Sequence, residues 1–378
     1  MKRLQRGLFL LIPVMLLTLT GCWDQQMLKE NRLIYGIGYD PGKDNKLRET
    51  VVIRSVPKDP KAGIANEIVS VNGTTIREQR SLLNKRISGD FAEGKARMIL
   101  LSEDLAKIDI YPFLDSFYRD PRSPLGAKLG VVKGNVEEIY RIQQKEQTLI
   151  IEYIEELLDN EERNGTIPKQ SIQTVCTQLF DEGRDFGLPL LRYDEENEGV
   201  ELDGLALFNK RSYTGENLTG HESKMMMILA EEHGKNIELT FKVDNQEKEN
   251  WLYNYVSIII SDADTKKDIT YDATAGQFSV DLHIQLEVQI QEYASDHLYK
   301  KEKADELEKV IKERLYNDAD EVITKLQEVN SDVFGYGRDL LAYHAKQLPD
   351  RQLQEDYFKK MKINPIFQVT ITETGGIY

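Results

Sequence analysis

The chain has 378 residues, 40% of them hydrophobic and 30% charged, with a net charge of −15. That length exceeds one ordinary core and predicts two or three domains, and the composition excludes a disordered chain. The acidic balance argues against nucleic acid and anionic lipid headgroups as partners, since both favour Lys/Arg-rich surfaces.

At the start, Lys2, Arg3 and Arg6 precede Leu8 to Thr20, an apolar run interrupted only by Pro13 and two threonines, and Gly21-Cys22 follow. This is the layout of a secretory leader, shorter than the about 20 apolar residues a membrane-spanning helix needs. Leu19-Thr20-Gly21-Cys22 resembles the bacterial lipobox, which makes residues 1–21 a lipoprotein signal peptide and Cys22 the lipid-attachment residue. Cleavage there takes three cations with it and moves the charge from −15 to −18. A diacylglyceryl group supplies two acyl chains, enough for stable anchoring on the outer face of a cytoplasmic membrane. The other cysteine, Cys176, has no thiol left to pair with and sits in an apolar stretch (Val175, Leu179, Phe180), which predicts a small buried hydrophobe.

Leu33–Tyr39 and Leu47–Val56 read as a hairpin around the turn residues 41–45. Glu67–Val71 predicts a short strand, and Thr75 a helix cap with Ile76, Leu82, Leu83 and Ile87 at helical spacing. Arg97–Leu101 is a strand, with Ser102 a candidate cap; Tyr111–Tyr118 is a helix begun by Pro112 and stopped by Asp120-Pro121. Leu129–Val132 is a strand, Asn135 opens a helix, and Thr148–Leu158 and Ile172–Phe180 are two more. The acidic stretch around Tyr193–Gly199 predicts a linker over 193–202. It divides an N-terminal domain, 22–192, with room for two subdomains, from a C-terminal domain, 203–378.

In the second half, Phe278, Val280, Leu282, Ile284, Leu286, Val288 and Ile290 alternate with polar residues, which predicts a long strand with one dry face. Trp251–Ile260 and Phe367–Ile371 offer partner strands. Ala304 to Leu326 repeats apolar residues at steps of three and four and predicts a long helix covering the sheet. Gly335 and Gly337 permit a turn into a shorter helix that ends before Pro349. The fold class is therefore α+β and multidomain, with a mixed N-terminal α/β region and a C-terminal antiparallel sheet covered by a long helix.

No catalytic constellation emerges. The histidines at 221, 233, 283, 297 and 344 lack metal-ligand spacing. Asp262, Asp264 and Asp268 fail the calcium-loop pattern at Lys267 and Ala273, and predict a solvated turn. Gly36-Ile37-Gly38 lacks a third dinucleotide glycine at Pro41, and Gly335-Tyr336-Gly337 fails at Leu340; both predict turns or close packing. Ser55-Val56-Pro57-Lys58 and Ser70-Val71-Asn72 echo a penicillin-recognising pair without the third motif. Met225-Met226-Met227 reads as helical core. No cofactor and no metal site is expected.

Several stretches resemble a known family. Gly21-Cys22-Trp23-Asp24 with Ile34–Asp40 behind it, Phe117-Tyr118-Arg119-Asp120 followed by Leu129–Val132, Gly204–Phe208 with Leu218 and His221-Glu222-Ser223, and Asp332–Gly337 occur in the order seen in the Ger(x)C spore-germination lipoproteins, the C subunits of nutrient germinant receptors. The resemblance implies a multidomain α+β, non-enzymatic receptor subunit on the inner membrane of dormant spores. Its partners would be an integral membrane A subunit, a polytopic B subunit and the membrane itself, through Cys22. It assigns no residue to nutrient contact. The main alternative is a solute-binding lipoprotein of a transporter, whose two α/β lobes suit the alternating 278–290 strand poorly; an envelope enzyme would need a catalytic constellation.

Overall fold

The computed structural model describes residues 32–55, 65–87, 91–142, 149–231, 236–243, 250–295 and 297–374. The leader, Cys22-Trp23-Asp24, His233 and Val56-Pro57-Lys58 lie outside the described residues.

The chain begins with the expected hairpin, β1 (Arg32–Pro41) and β2 (Leu47–Ser55), turned through Asp44 and Asn45 in the left-handed region (φ 56° and 55°). Asn and Asp tolerate that region better than other side-chain-bearing residues. β3 (Ala65–Gly73) adds antiparallel to β2, and α1 (Ile76–Asn84) starts where the Thr75 hydroxyl accepts the Glu78 N–H at 3.1 Å.

β4 (Phe91–Ala92) pairs with the entry of β1. β5 (Met98–Ser102) joins β1 in parallel, and β6 (Lys128–Val132) joins β5. Between β5 and β6 lie the short α2 (Glu103–Ala106) and α3 (Tyr111–Arg119). Ser102 stands at the cap position of α2 but makes no capping hydrogen bond.

α4 (Val136–Arg141) opens after Asn135, yet a remote carboxylate caps it: buried Asp40 accepts the N–H groups of Val136 (2.7 Å) and Glu137 (3.0 Å). The helices packed on β1 explain the two early glycines. A Cβ on Gly38 would stand 2.4 Å from Val136 Cγ1, and one on Gly36 2.2 Å from Ile151 Cδ1, so both are close-packing positions.

α5 (Ile150–Arg163) and α6 (Ile172–Leu179) lead into β7 (Gly187–Asp194), β8 (Gly199–Asn209) and β9 (Ser212–Leu218). The sheet has nine strands in the order β3-β2-β1-β5-β6-β7-β8-β9, with β4 on β1. Its centre is parallel and both flanks are antiparallel hairpins. The acidic stretch expected as a linker is instead a tight turn: Tyr193 pairs with Val200 and Asp194 with Gly199, and Asp194 accepts the Glu196 N–H. Backbone pairing, which sequence composition does not report, carries the sheet straight through 193–202.

α7 (Gly220–Leu229) holds the three methionines, all buried. The second sheet has the order β10 (Ile237–Lys242), β11 (Tyr255–Asp272), β12 (Gln277–Glu292) and β13 (Lys362–Glu373). β11 starts at Tyr255, after a single helical turn at Trp251–Asn254, and is 18 residues long. Asp262, Asp264 and Asp268 lie within it, opposite Glu287, Gln285 and Asp281, rather than in a turn. α8 (Lys301–Glu328) covers the dry face as expected and buries Leu307, Ile311, Leu315, Ala319, Val322, Ile323 and Leu326. α9 (Tyr336–Tyr343) and α10 (Tyr357–Lys360) then return the chain to β13. Three strands are antiparallel; β13 lies parallel to β12, because the long helix crosses over between them.

Two apolar cores result. One fills the face of the large sheet under α1, α3 and α6. The other lies on its opposite face and continues through α5 and α7 into the second sheet and α8, so both sheets share one core.

Candidate functional site at the domain junction

The loop after α6, Asp181–Asp185, crosses the loop between α8 and α9, Ser331–Gly335, and the crossing is polar and dry. Asp332 is 1% exposed. Its Oδ1 accepts the N–H groups of Gly335 (2.9 Å) and Tyr336 (3.2 Å), and its Oδ2 accepts Gly337 N–H (2.8 Å) and the Tyr357 hydroxyl (2.6 Å). Asp185 answers from the other side: its carboxylate accepts Asp332 N–H at 2.8 Å and Lys210 N–H at 2.6 Å, and its own N–H donates to the Asp332 carbonyl at 2.8 Å. Ser331 Oγ donates to the Phe208 carbonyl at 2.6 Å.

Two backbones nearly touch here. A Cβ on Gly183 (φ +86°) would lie 2.4 Å from the Gly337 carbonyl carbon, and one on Gly337 2.7 Å from Gly183 Cα. Gly335, at φ +73°, turns the chain into α9. Around this crossing, Tyr336 stacks on Phe334 at 5.2 Å, and Lys267 of β11 reaches Asp339 at 2.6 Å. A cleft of about 310 Å³ with mixed polar and apolar walls opens beside it, lined by Phe180, Arg184, Lys210, Asn330 and Glu355 among others.

Burial dominates the electrostatics. It pushes the Asp332 carboxyl up to about 6 against its hydrogen bonds, and raises Asp185 and Tyr357 as well. The sign follows from linkage: a carboxyl whose folded value exceeds its unfolded one adds stability below the unfolded value, lost as pH rises through the folded value. Asp332 therefore makes the fold more stable at pH 4.5 than at pH 7, by an amount on the order of 2 kcal/mol. Glu137, held down to about 2 chiefly by Arg48, loses its own contribution only on the acid side of that window. Thermal melts between pH 4.5 and 7 are expected to show the fall, and Asp332→Asn to flatten it; an unchanged slope in the variant refutes the assignment.

The other sequence candidates lie apart. Cys176 is buried on α6 with its thiol pushed up to about 11 by desolvation, an inert group at neutral pH. His221 pairs with Asp318 at 2.6 Å, His283 is on the wet face of β12, His297 lies against Tyr299, and His344 ends α9 against Phe278. Ser70 is hydrogen-bonded to Glu137 and Thr50. Among the described residues no His/Cys/Asp/Glu group is arranged to hold a metal, and no helix is long and apolar enough to cross a membrane. Sequence reading missed Gly183, Asp185 and Tyr357. The available signal was Asp332-x-x-Gly-x-Gly, an acceptor followed by backbone free to fold onto it. The arrangement ties the 181–185 loop, which leads into the large sheet, to the 331–337 loop that follows the helix covering the small one.

The chain matches two consecutive domain families. Residues 24–193 match the family described as spore germination protein N-terminal domain, and residues 203–375 the one described as spore germination B3/GerAC like, C-terminal. The chain belongs to this Ger(x)C family, the C-subunit family of germinant receptors.

It is 24% identical over 371 residues to the spore germination protein GerQC of Bacillus cereus, covering 97% of this chain and 98% of that protein. It is 23% identical over 390 residues to the putative spore germination protein YfkR of Bacillus subtilis strain 168, covering 97% and 96%. The crystal structure of the GerBC protein shares the fold, with a TM-score of 0.57 and 14% identity over 92% of this chain and 100% of that one.

Proposed function

We propose that this chain is a non-catalytic, lipid-anchored subunit of a spore nutrient germinant receptor, acting with membrane-embedded A and B subunits. A diacylglyceryl group on Cys22 would hold it on the outer face of the cytoplasmic (spore inner) membrane. The observation that carries the reading is the pair of family matches running in register from just behind the lipobox cysteine to near the end of the chain. The anchor would confine the body beside its partners and raise its effective concentration there. Residues 22–192 and 203–378 would act as two modules joined rigidly through the β7–β8 hairpin.

An in-frame deletion, and separately Cys22→Ala, tests this in spores of the host. Expected is loss of the response to one nutrient class with the response to a non-nutrient trigger intact, and loss of the Cys22→Ala protein from the membrane fraction. Normal germination beside defective solute uptake by growing cells would replace the reading with a transporter's binding lipoprotein.

A further inference from the structure

The motif Phe117-Tyr118-Arg119-Asp120 has no part in the junction, yet it helps build a cluster of four arginines on an acidic chain. α3 ends there, and its last turn faces α1 across an open groove of about 460 Å³ lined by Arg77, Arg80, Arg119 and Arg122 with a single carboxylate, Asp120. Asp120 is spent on structure: it holds Arg80 at 3.2 Å and accepts the Arg122 N–H at 3.0 Å. The Arg119 and Arg122 side chains are 75% and 81% exposed, although Arg119 pairs with Asp115 at 2.9 Å and Arg122 Nε lies 3.5 Å from Asp120. Arg77 is exposed and makes no ion pair among the described residues. On the opposite flank of α3, Tyr118 and Phe180 stand 54% and 57% exposed with ring centroids 6.0 Å apart.

Exposed aromatic rings beside arginines suit the headgroup layer of a bilayer, where rings sit at the interface and guanidinium groups meet phosphate. Position agrees. The Arg122 carbonyl packs on Gly94, 2.6 Å from where a Cβ would be, just after β4, whose Phe91 and Ala92 pair with Arg32 and Leu33 at the chain's entry into the fold. From Cys22 to Arg32 the chain can span at most about 35 Å.

We infer that this face, the α1–α3 arginine groove with Tyr118 and Phe180, docks on an anionic phospholipid surface and sets the orientation of the anchored body. The inference rests on the lipid-anchored reading above. It also narrows what net charge implies: at a screening length of about 8 Å the local arginines, rather than the net charge of the whole chain, govern contact.

The test uses the mature chain with Cys22→Ser, which carries no acyl group, floated with vesicles of phosphatidylcholine alone or enriched in phosphatidylglycerol. Binding is expected only to the anionic vesicles, falling with salt, about 30-fold weaker in Arg119→Gln/Arg122→Gln and weaker also in Tyr118→Ala/Phe180→Ala. Melting curves check that these exposed-site variants stay folded. Equal binding to both vesicles, no binding to either, or an unaffected arginine variant overturns the inference. So does displacement by inorganic phosphate beyond that by chloride of equal ionic strength, which would mark a site for a free phosphate. Since no acyl group is present, failure here leaves the Cys22 reading intact, and an unmodified Cys22 in the host would sink that reading without touching the vesicle result.

Discussion

Asp332→Ala is expected to lower the unfolding free energy by about 3–5 kcal/mol, the range seen when one side of a buried charged hydrogen-bond network is removed. The substitution strips the acceptor from three backbone N–H groups and the Tyr357 hydroxyl, all in a place water does not reach. The same carboxylate lowers stability at neutral pH relative to its protonated form. The two statements agree, because a neutral carboxyl still accepts hydrogen bonds and alanine does not. Asp332→Asn keeps one acceptor and should fall between wild type and alanine. Denaturant titration at pH 7 measures this as a midpoint shift at constant slope. A loss below about 1 kcal/mol would mean that the 331–337 loop is held by other contacts.

The second large effect is Gly183→Ala, expected to cost about 2–5 kcal/mol from left-handed backbone and overpacking together. The new methyl would meet the Gly337 carbonyl carbon at 2.4 Å and Arg338 N at 2.5 Å, and backbone atoms cannot rotate aside as a side chain can. Gly134 supplies the control: its φ is +99° but nothing lies within 4 Å of a Cβ there, so Gly134→Ala should show only the conformational part, about 1 kcal/mol. Equal losses at the two sites would remove the crossing from the account. Gly183→Ala and Asp332→Ala act on one crossing, so the double variant should lose less than their sum.

What was readable in the sequence followed periodicity. The Phe278–Ile290 alternation and the Ala304–Leu326 repeat each record one dry face, and both elements occur where expected. β7 was not legible, because Gly187–Leu191 is buried on both faces and a sheet's centre carries no alternation. The far half of β11 misled for the opposite reason. Beyond Ile260 no strand among the described residues flanks it on the β10 side, and it carries Asp262, Asp264, Lys266, Lys267 and Asp268, charges that blunt an edge and resemble a turn. The direction of β13 could not be read, since a pleat sorts its faces alike in either direction. The junction was hidden by distance: Asp40 caps a helix 96 residues away, and Asp185 meets Asp332 across 147. The two glycine pairs were legible as turns or close-packing sites, but not what they pack against.

That last separation sets an order of events for a chain made from its N-terminus. The nine-stranded sheet has all its strands once Leu218 has emerged. Its Asp185 carboxylate then waits for a partner more than a hundred residues behind it, and the core face shared with the second sheet waits as well. Contacts so distant in sequence close slowly, and half-finished apolar faces invite proteases and aggregation. The interval between synthesis of the first sheet and arrival of α8 is thus the fragile stage in this protein's life, and Asp332 is the residue whose arrival ends it.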